Sequence, residues 1–221
     1  MSIFAALEVY RDGASRSAAM NMAIDEALLE IATAPSIRFY RWDHPALSFG
    51  YFGKIADIAN HATERDVVRR WTGGGIVFHG DDLTYSIIIP ANDSVFAKSS
   101  MSIYAATHQA IQAALSASGQ RAEMASEESP KISEACFANA VRADVLVNGQ
   151  KVAGAAQRRT RRGLLQQGSI QHVDLGRDFP ERFAQELSPQ RIGQELNGSI
   201  LDRAREIAAD KYGTTAWLRR R

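Results

Sequence analysis

Residues 69–79 read RRWTGGGIVFH: two arginines, three glycines and, after a short apolar run, a histidine. Consecutive glycines allow a backbone to approach a bound group closely and to turn its N–H groups towards it. The arginines supply fixed positive donors beside that loop. The stretch predicts a cradle for a carboxylate, a phosphate or a developing oxyanion, with an ordinary tight hairpin as the alternative. The glycines are contiguous and no Gly-Lys-Ser/Thr ending follows, which excludes the two common nucleotide-binding loops.

Short apolar segments flank this loop on both sides, and their composition and turn residues indicate strands. The predicted strands cover residues 37–42, 47–50, 67–70, 76–79 and 84–89. Helical spacing of apolar residues predicts helices at 17–32 and 102–118, and the C-terminal segments 179–187, 191–196 and 200–212 also look helical. The polar, acidic residues 121–134 are expected to form a loop.

Two hairpins are expected in the second half of the chain. Asn148-Gly149 lies between the apolar runs 144–147 and 150–154, which favours a type I′ turn. A second hairpin joins residues 155–157 to 164–170, with Arg158–Arg162 around its tip. Hairpins with segregated helices predict an α+β fold with a largely antiparallel, mixed sheet flanked by helices. We expect a single domain over 1–221, with a core at about 17–172 and a helical segment at about 178–221.

Composition sets further limits. The 221 residues carry a net charge of +1, which gives no reason to expect a nucleic-acid binder. No apolar run is long enough to span a bilayer and the start lacks a signal-peptide pattern, so we expect a cytoplasmic protein without membrane contact. The single cysteine, Cys136, excludes an internal disulfide, and a lone cysteine is more often a buried hydrophobe than a nucleophile.

Several motifs in order resemble the lipoate-protein ligase and octanoyltransferase family, which is related to biotin-protein ligases. The pattern Arg-Arg-x-x-Gly-Gly-Gly is followed about seventy residues later by Gly-x-Lys-x-x-Gly-x-Ala-Gln. The resemblance covers about residues 17–172 and rests on segments 21–29, 69–79, 135–137, 144–157 and 164–170. It implies a biotin/lipoate protein ligase-like fold, similar to class II aminoacyl-tRNA synthetases. The implied activity attaches an octanoyl or lipoyl group to a lysine of a carrier domain, as in lipoate biosynthesis.

The resemblance also implies roles for individual residues. Lys151 corresponds to the family's active-site lysine, whose ammonium can stabilise charge on the acyl oxygen; a solvated strand lysine is the alternative. Arg69 is expected to be a surface or ion-pair residue. The remaining predicted acyl-binding residues are Arg70, Gly73, Gly74, Gly75, Val77, His79, Gly154 and Ala155. Trp71, Ile76 and Phe78, with Val77, are candidates for an apolar slot or for plain core, and His79 for a pocket wall or a structural histidine. This interpretation requires Lys151 to share one pocket with Gly73–Gly75.

Two ways of activating the acyl group remain open, and the family's amidotransferases, which move octanoyl from one carrier domain to another, share the cysteine of the first. Ala135-Cys136-Phe137 matches the transferases that place Cys-Phe about fifteen residues before the lysine, so Cys136 is the predicted nucleophile of a thioester route that needs no cofactor. A thiol beside an ammonium has its thiolate favoured. Alternatively, Asp144 occupies the position of the aspartate that helps ligases bind ATP and Mg²⁺. The short stretch after the second hairpin favours the transferase, although a ligase with a separate accessory subunit would also be short.

The implied partners are octanoyl-acyl carrier protein or lipoate as the acyl donor, and the lipoyl domain of 2-oxoacid dehydrogenases or the glycine cleavage H protein as the acceptor. A non-enzymatic alternative rests on the arginines of the hairpin tip and of Arg219–Arg221, which suggest a basic binding module. No aromatic residues interleave with these arginines in the sequence, and a charged hairpin tip is usually solvated. Docking of an acidic carrier protein is the other use for such a tip.

Overall fold

The computed structural model describes residues 2–61, 64–126 and 140–220. Its strands are β1 (Ala6–Arg11), β2 (Ser36–Tyr40), β3 (Ala46–Phe49), β4 (Asp66–Arg69), β5 (Ile76–His79), β6 (Leu83–Pro90), β7 (Ala122–Met124), β8 (Val145–Val147), β9 (Gln150–Arg159), β10 (Gly163–Ile170) and β11 (Gln190–Gln194). Its helices are α1 (Ala18–Ile31), α2 (Ser100–Ala117), α3 (Phe179–Leu187), α4 (Gly198–Ile207) and α5 (Thr215–Leu218). Two 3₁₀ helices (Ile55–His61 and Ser94–Ala97) and a π-helical turn (Ala208–Tyr212) complete the described elements. None of these helices is both long enough and apolar enough to cross a membrane.

Eight strands form the main sheet in the order β11-β1-β2-β6-β10-β9-β8-β7. The pairs β11–β1 and β1–β2 are parallel, and the five pairs from β2–β6 to β8–β7 are antiparallel. Strands β4, β3 and β5 form a separate small sheet, in which β3 is parallel to β4 and antiparallel to β5. The predicted α+β class with a largely antiparallel mixed sheet is therefore confirmed.

Helices cover both faces of the main sheet. Successive residues of a strand point to opposite faces, so each face carries apolar side chains that a helix can bury. On β6, Ile87 packs in the core formed with α2 and α3, whereas Ile88 packs in the core formed with α1 and α4. The glycine loop joins β4 to β5 in the small sheet, and Asn148-Gly149 joins β8 to β9 in the main sheet. Both residues of that turn have positive φ, 52° and 76°, as a type I′ turn requires.

Three sequence expectations need correction. The predicted helix at 191–196 is wrong, because β11 occupies Gln190–Gln194 and pairs in parallel with β1. Backbone pairing with a distant strand outweighs the weak helical pattern of a segment that contains Gly193. Strand β1 corresponds to none of the predicted elements. The predicted loop at 121–134 begins with β7, which pairs with β8, while its residues from 127 onward lie outside the described part.

Candidate active site

A cavity of about 620 Å³ is lined by residues of the small sheet, of the main sheet, of α1 and of α2. Its polar lining includes Ser48, Arg70, His79, Tyr104 and Lys151. Its apolar lining comprises Met22, Trp42, Phe49, Ile58, Ile76 and Val77, among others. The cavity therefore combines cationic groups with an apolar surface that suits a hydrocarbon chain.

Lys151 projects from the beginning of β9, directly after the Asn148-Gly149 turn. Its side chain is only 7% exposed, and its Nζ lies 2.7 Å from Oδ2 of the fully buried Asp144. The chain folds back at the turn, which brings the end of the segment before β8 beside the start of β9. The hairpin thus places an ion pair at the wall of the cavity.

Asp144 is held by donors on both of its oxygens. Tyr104 donates its hydroxyl to Oδ1 at 2.5 Å, and the Val141 amide donates to Oδ2 at 2.7 Å. The Tyr104 hydroxyl in turn accepts the Ala155 amide at 3.2 Å. Burial and the neighbouring Asp144 raise the pKa of Tyr104 well above its ordinary value, so its hydroxyl stays a donor. This network fixes the carboxylate that contacts Lys151.

His108 of α2 lies behind this network. Its Nδ1 contacts the Ala143 carbonyl at 2.7 Å and is 4.0 Å from Asp144 Oδ1. Burial lowers the pKa of His108 to about 4, despite the opposing effects of Asp144 and of the Ala143 carbonyl. The imidazole is therefore neutral near pH 7.

Gly154 gives the Lys151 side chain its space. A Cβ atom at position 154 would lie 2.7 Å from Lys151 Cε and 3.0 Å from its Nζ. Both distances are shorter than an ordinary van der Waals contact. The glycine of the Lys-x-x-Gly motif is therefore explained by packing against the amine that precedes it.

The glycine loop is held from inside by Arg70. Its guanidinium donates to the carbonyls of Gly73 at 3.0 Å and Gly75 at 2.8 Å, and to Ser48 Oγ at 2.7 Å. Gly74 has φ 84°, a conformation that L side chains rarely adopt. Gly50 allows the loop to approach β3, because a Cβ there would lie 2.0 Å from the Gly74 carbonyl oxygen.

A buried hydrogen-bond chain extends from Arg70 through Ser48 to His79 and Asp82. Ser48 Oγ lies 2.7 Å from His79 Nε2, and His79 Nδ1 lies 2.8 Å from Asp82 Oδ2. Burial lowers the pKa of His79, so its neutral form predominates near pH 7. The hydrogen bond from His79 contributes to a lowered pKa of Asp82, against the effect of burial. This geometry corresponds to an Nδ1–H tautomer that donates to Asp82 and accepts from Ser48.

A second buried chain connects the glycine loop with α1. Thr72 donates to Gln167 Oε1 at 2.8 Å, and Gln167 Nε2 donates to Asp25 Oδ2 at 2.7 Å. Asp25 also forms an ion pair with the fully buried Arg38 at 2.9 Å. Gln167 lines the cavity, so this chain joins the helix, the main sheet and the loop at the site.

Most of the residues predicted to bind the acyl group lie together. The cavity lining contains Lys151, Arg70, Gly74, Gly75, Val77, His79, Gly154 and Ala155. Gly73 is not part of that lining, although its carbonyl accepts from Arg70. Cys136 lies outside the described residues. The required proximity is thus present, since Lys151 and two of the three glycines line one cavity.

One neighbour of the glycine loop differs from expectation. Arg69, predicted as a surface or ion-pair residue, is buried and donates to five backbone carbonyls, those of Tyr51, Gly53, Trp217, Leu218 and Arg220. Of the candidates for an apolar slot or for plain core, Ile76 lines the cavity like Val77. Trp71 and Phe78 do not line it and pack against core clusters, and Trp71 also contacts the cations of Arg158 and Lys211.

Sequence reasoning missed four polar residues of the site: Ser48, Asp82, Tyr104 and Gln167. Asp82 had a usable signal, because it follows His79 by three residues and directly precedes the next strand, β6. The others come from separate elements, and no local pattern connects them with the glycine loop or with Lys151.

Asp144 is the predicted metal or nucleotide residue of the ligase alternative. Its oxygens accept from Tyr104, Val141 and Lys151, so the carboxylate serves to hold the lysine. The described residues contain no group of three or more His, Cys, Asp or Glu side chains that could hold a metal ion. In the described part of the chain, the donors around the Asp144 carboxylate all come from the protein itself.

Comparisons with solved structures agree with this architecture. The fold matches a crystal structure of lipoate-protein ligase A bound with ATP, with a TM-score of 0.73, 20% identity, and coverage of 99% of this chain and 98% of that one. It also matches a structure of a bi-partite lipoate protein ligase and its E2 lipoyl domain from Thermoplasma acidophilum, with a TM-score of 0.66, 19% identity, and coverage of 99% and 98%. At these identities the likeness shows the fold.

Sequence comparisons define the family. Octanoyltransferase LipM of Oceanobacillus iheyensis is 38% identical over 200 residues, which cover 83% of this chain and 72% of that protein. The LipM proteins of Brevibacillus brevis and Clostridioides difficile are each 38% identical over 170 residues, which cover 70% and 71% of this chain and 62% of each relative. The chain thus matches about two thirds of the length of these relatives. The family model of the lipoyl protein ligase A/B catalytic domain matches residues 17–191. The chain therefore belongs to the lipoyl protein ligase A/B catalytic domain family, which confirms the predicted resemblance.

Proposed function

We propose that this chain is an acyltransferase that passes an octanoyl group through a thioester on Cys136 to the target lysine of a lipoyl carrier domain. The observation that carries the proposal is the cavity in which the Lys151–Asp144 pair and the glycine loop meet beside apolar side chains. The family and the octanoyltransferase name of the relatives at 38% identity support the same activity.

The cavity suits both ends of an octanoyl group. The apolar side chains, such as Met22, Phe49 and Ile76, offer a surface for the hydrocarbon tail. The Lys151 ammonium is held by Asp144 at the cavity wall, where it can donate to the acyl oxygen as negative charge develops on it. A donor that is already oriented and largely excluded from water stabilises such charge more strongly than water does.

Two balanced steps complete the reaction. The Cys136 thiolate attacks the carbonyl of an octanoyl thioester, forming a new thioester as the bond to the donor sulfur breaks and the donor leaves as its thiolate. The amine of the acceptor lysine then attacks the enzyme thioester, forming an amide, and the Cys136 thiolate leaves as the amine loses a proton. Dividing the transfer in this way gives two easier steps. Ala140, which lines the cavity, follows Cys136 by four residues, and four residues span at most about 14 Å.

In this proposal the acyl donor is octanoyl-acyl carrier protein, and the acceptor is a lipoyl domain of a 2-oxoacid dehydrogenase or the glycine cleavage H protein. Exchange between thioesters is nearly isoenergetic, so ATP and Mg²⁺ have no part in it. The octanoyltransferase names of the relatives at 38% identity favour this transferase over an adenylate-forming ligase. The ligase, with lipoate, ATP and Mg²⁺, is the alternative that the experiment must address.

The test offers a lipoyl domain two acyl sources in separate reactions. One contains octanoyl-acyl carrier protein, and the other contains lipoate, ATP and Mg²⁺; the mass of the intact domain reports modification. We expect octanoylation in the first reaction, loss of that activity in Cys136→Ala, and no lipoylation in the second. Lipoylation with ATP by both wild type and Cys136→Ala would overturn the proposal in favour of the ligase.

A further inference from the structure

Aromatic rings and cations cluster around Tyr51, next to residues that line the cavity. Tyr51 lies between Gly50 and Phe52, which both line the cavity, and Phe52 is 84% exposed. Around Tyr51 lie rings and cations from the glycine loop, the end of β9 and the C-terminal elements. We call this cluster the aromatic–cationic patch; it comprises Tyr51, Trp71, Arg158, Lys211, Trp217 and Arg220.

Each ring of the patch has two cations close to its centroid. Arg158 lies 4.6 Å and Arg220 lies 4.7 Å from the Tyr51 centroid. Lys211 and Arg158 lie 4.2 Å and 5.1 Å from Trp71. Lys211 and Arg220 lie 4.5 Å and 5.4 Å from Trp217. These rings hold three cations together that would otherwise repel one another.

The patch carries an excess of positive charge. Lys211 pairs with Glu26 at 2.6 Å, but neither Arg158 nor Arg220 forms a salt bridge with any carboxylate in the described ranges. Burial, together with repulsion from Arg158 and Arg220, lowers the pKa of Lys211 against the effect of Glu26. Two guanidinium groups that form no salt bridge in the described ranges, beside a loop whose residues line the cavity, favour an anionic partner.

The arginines of the hairpin tip therefore divide into two sets. Side chains alternate along β9, so Arg158 faces the patch while Arg159 turns away and donates to the Phe96 and Lys98 carbonyls. Arg69 fixes the patch from below, because it binds carbonyls of both the Tyr51 loop and the C-terminal segment. The Arg158 and Arg220 side chains thus lie on a surface around Tyr51, whose backbone is fixed by Arg69.

We propose that the aromatic–cationic patch is the docking surface for the acidic carrier protein that delivers the octanoyl group. This inference rests on the proposed function and adds the surface that recognises the donor. Charge complementarity identifies the partner, and the position of the patch lets a carrier held there present a tethered acyl chain to the cavity. Single-stranded nucleic acid is the competing anion, but base stacking would compete with the two cations already placed at each ring.

The test measures binding of fluorescently labelled octanoyl-acyl carrier protein by anisotropy at low and high salt. Arg158→Glu/Arg220→Glu should weaken binding at least tenfold at low salt, and wild-type binding should weaken as salt is added. The matched control is Arg121→Glu/Arg177→Glu, which changes the charge equally at two exposed positions outside the patch and should bind like wild type. If the reversed variant is unfolded, Arg158→Gln/Arg220→Gln takes its place.

Equal loss of binding in both double variants, or no loss in the patch variant, would overturn the inference. Tighter binding of a labelled oligonucleotide than of the carrier protein would overturn it as well.

Octanoyl transfer from an uncharged small thioester separates the two proposals, and the patch variant should keep this activity within about twofold of wild type. A fall with this donor would also contradict donor docking. A wild-type protein that uses the small thioester but does not bind the carrier contradicts only the docking surface. One that binds the carrier but transfers from neither donor contradicts only the proposed function.

Discussion

Lys151 Nζ lies 2.7 Å from Asp144 Oδ2 across the Asn148-Gly149 turn, in a cavity that the glycine loop also lines. The carboxylate is anchored by Tyr104 and the Val141 amide, so its position does not depend on the lysine. A rigid anion beside a flexible side chain restricts where the ammonium can lie. The pair therefore sets the direction of the Lys151 ammonium, which in the proposed reaction donates to the acyl oxygen.

Asp144→Asn tests this positioning role. The amide removes the negative charge that holds Lys151 and brings an NH₂ group or a neutral oxygen against the ammonium. We expect kcat for octanoyl transfer to fall about tenfold or more with KM little changed, because the loss concerns the transition state. Breaking a buried ion pair costs up to about 3–5 kcal/mol, so the midpoint of thermal unfolding should also fall.

The matched control for Asp144→Asn is Asp178→Asn, since Asp178 precedes α3 without a side-chain cap hydrogen bond. It should retain both activity and unfolding midpoint. Wild-type kcat in a folded Asp144→Asn protein would show that the carboxylate does not position the lysine.

Gly154→Ala displaces the amine without removing it. The new Cβ would lie within 3.0 Å of Lys151 Cε and Nζ, and the far end of that flexible side chain can move away. We expect the fold to be retained while kcat falls about tenfold, because small displacements of a catalytic group are costly. Gly13→Ala, where a Cβ would meet nothing within 4 Å, is the control. Unchanged turnover with Gly154→Ala would mean that the position of Nζ is not critical.

Arg69→Lys tests the buried guanidinium below the cavity rim. Five carbonyls accept from Arg69, whereas an ammonium has three donors on a different geometry. Each lost hydrogen bond costs about 1 kcal/mol, so urea unfolding should show a loss of at least about 2 kcal/mol. Arg205→Lys, at an exposed position, should cost far less. Equal stability of the two variants would contradict the bracing role of Arg69.

Acid should destabilise the fold through His108. Its pKa is about 4 in the folded chain, below the ordinary value of 6.5, because the side chain is buried. As the pH falls below 6.5 the unfolded chain binds the proton first, so stability is fully present above 6.5 and declines towards pH 4. The slope for one such histidine reaches about 1.4 kcal/mol per pH unit. His79 contributes in the same direction.

His108→Gln provides the comparison for this pH dependence. The amide can still donate to the Ala143 carbonyl but does not titrate. Urea unfolding between pH 4 and 7 should therefore give a shallower slope for the variant than for wild type. Identical slopes would show that the pKa of His108 is the same in the folded and the unfolded chain.

Local patterns in the sequence predicted most of the fold. The Asn148-Gly149 turn, helix α1 and the strands around the glycine loop all lie close to their expected positions. These elements have strong local determinants, namely turn residues or apolar periodicity. The missed strand β1 and the misassigned β11 pair with each other, and such long-range parallel pairing leaves little mark on either segment.

The residues of the candidate site also differ in whether a local sequence pattern predicts them. Lys151, Arg70 and Gly154 lie in motifs, and the structure brings them to one cavity. Arg69 was misread because its buried guanidinium binds backbone carbonyls of the Tyr51 loop and of the C-terminal segment, and no local pattern around Arg69 indicates these distant partners. Tyr104 was missed because its role arises only when α2 packs beside β9, which the sequence of α2 alone does not reveal.

The most direct measurement is the rate of octanoyl transfer to a lipoyl domain by Lys151→Met, with the exposed Lys98→Met as control. Methionine keeps the length and packing of the side chain but removes the donor. If the ammonium stabilises the charge that develops on the acyl oxygen, kcat/KM should fall about 100- to 1,000-fold in the first variant and stay unchanged in the second. Transfer by a folded Lys151→Met protein within twofold of wild type would contradict the account.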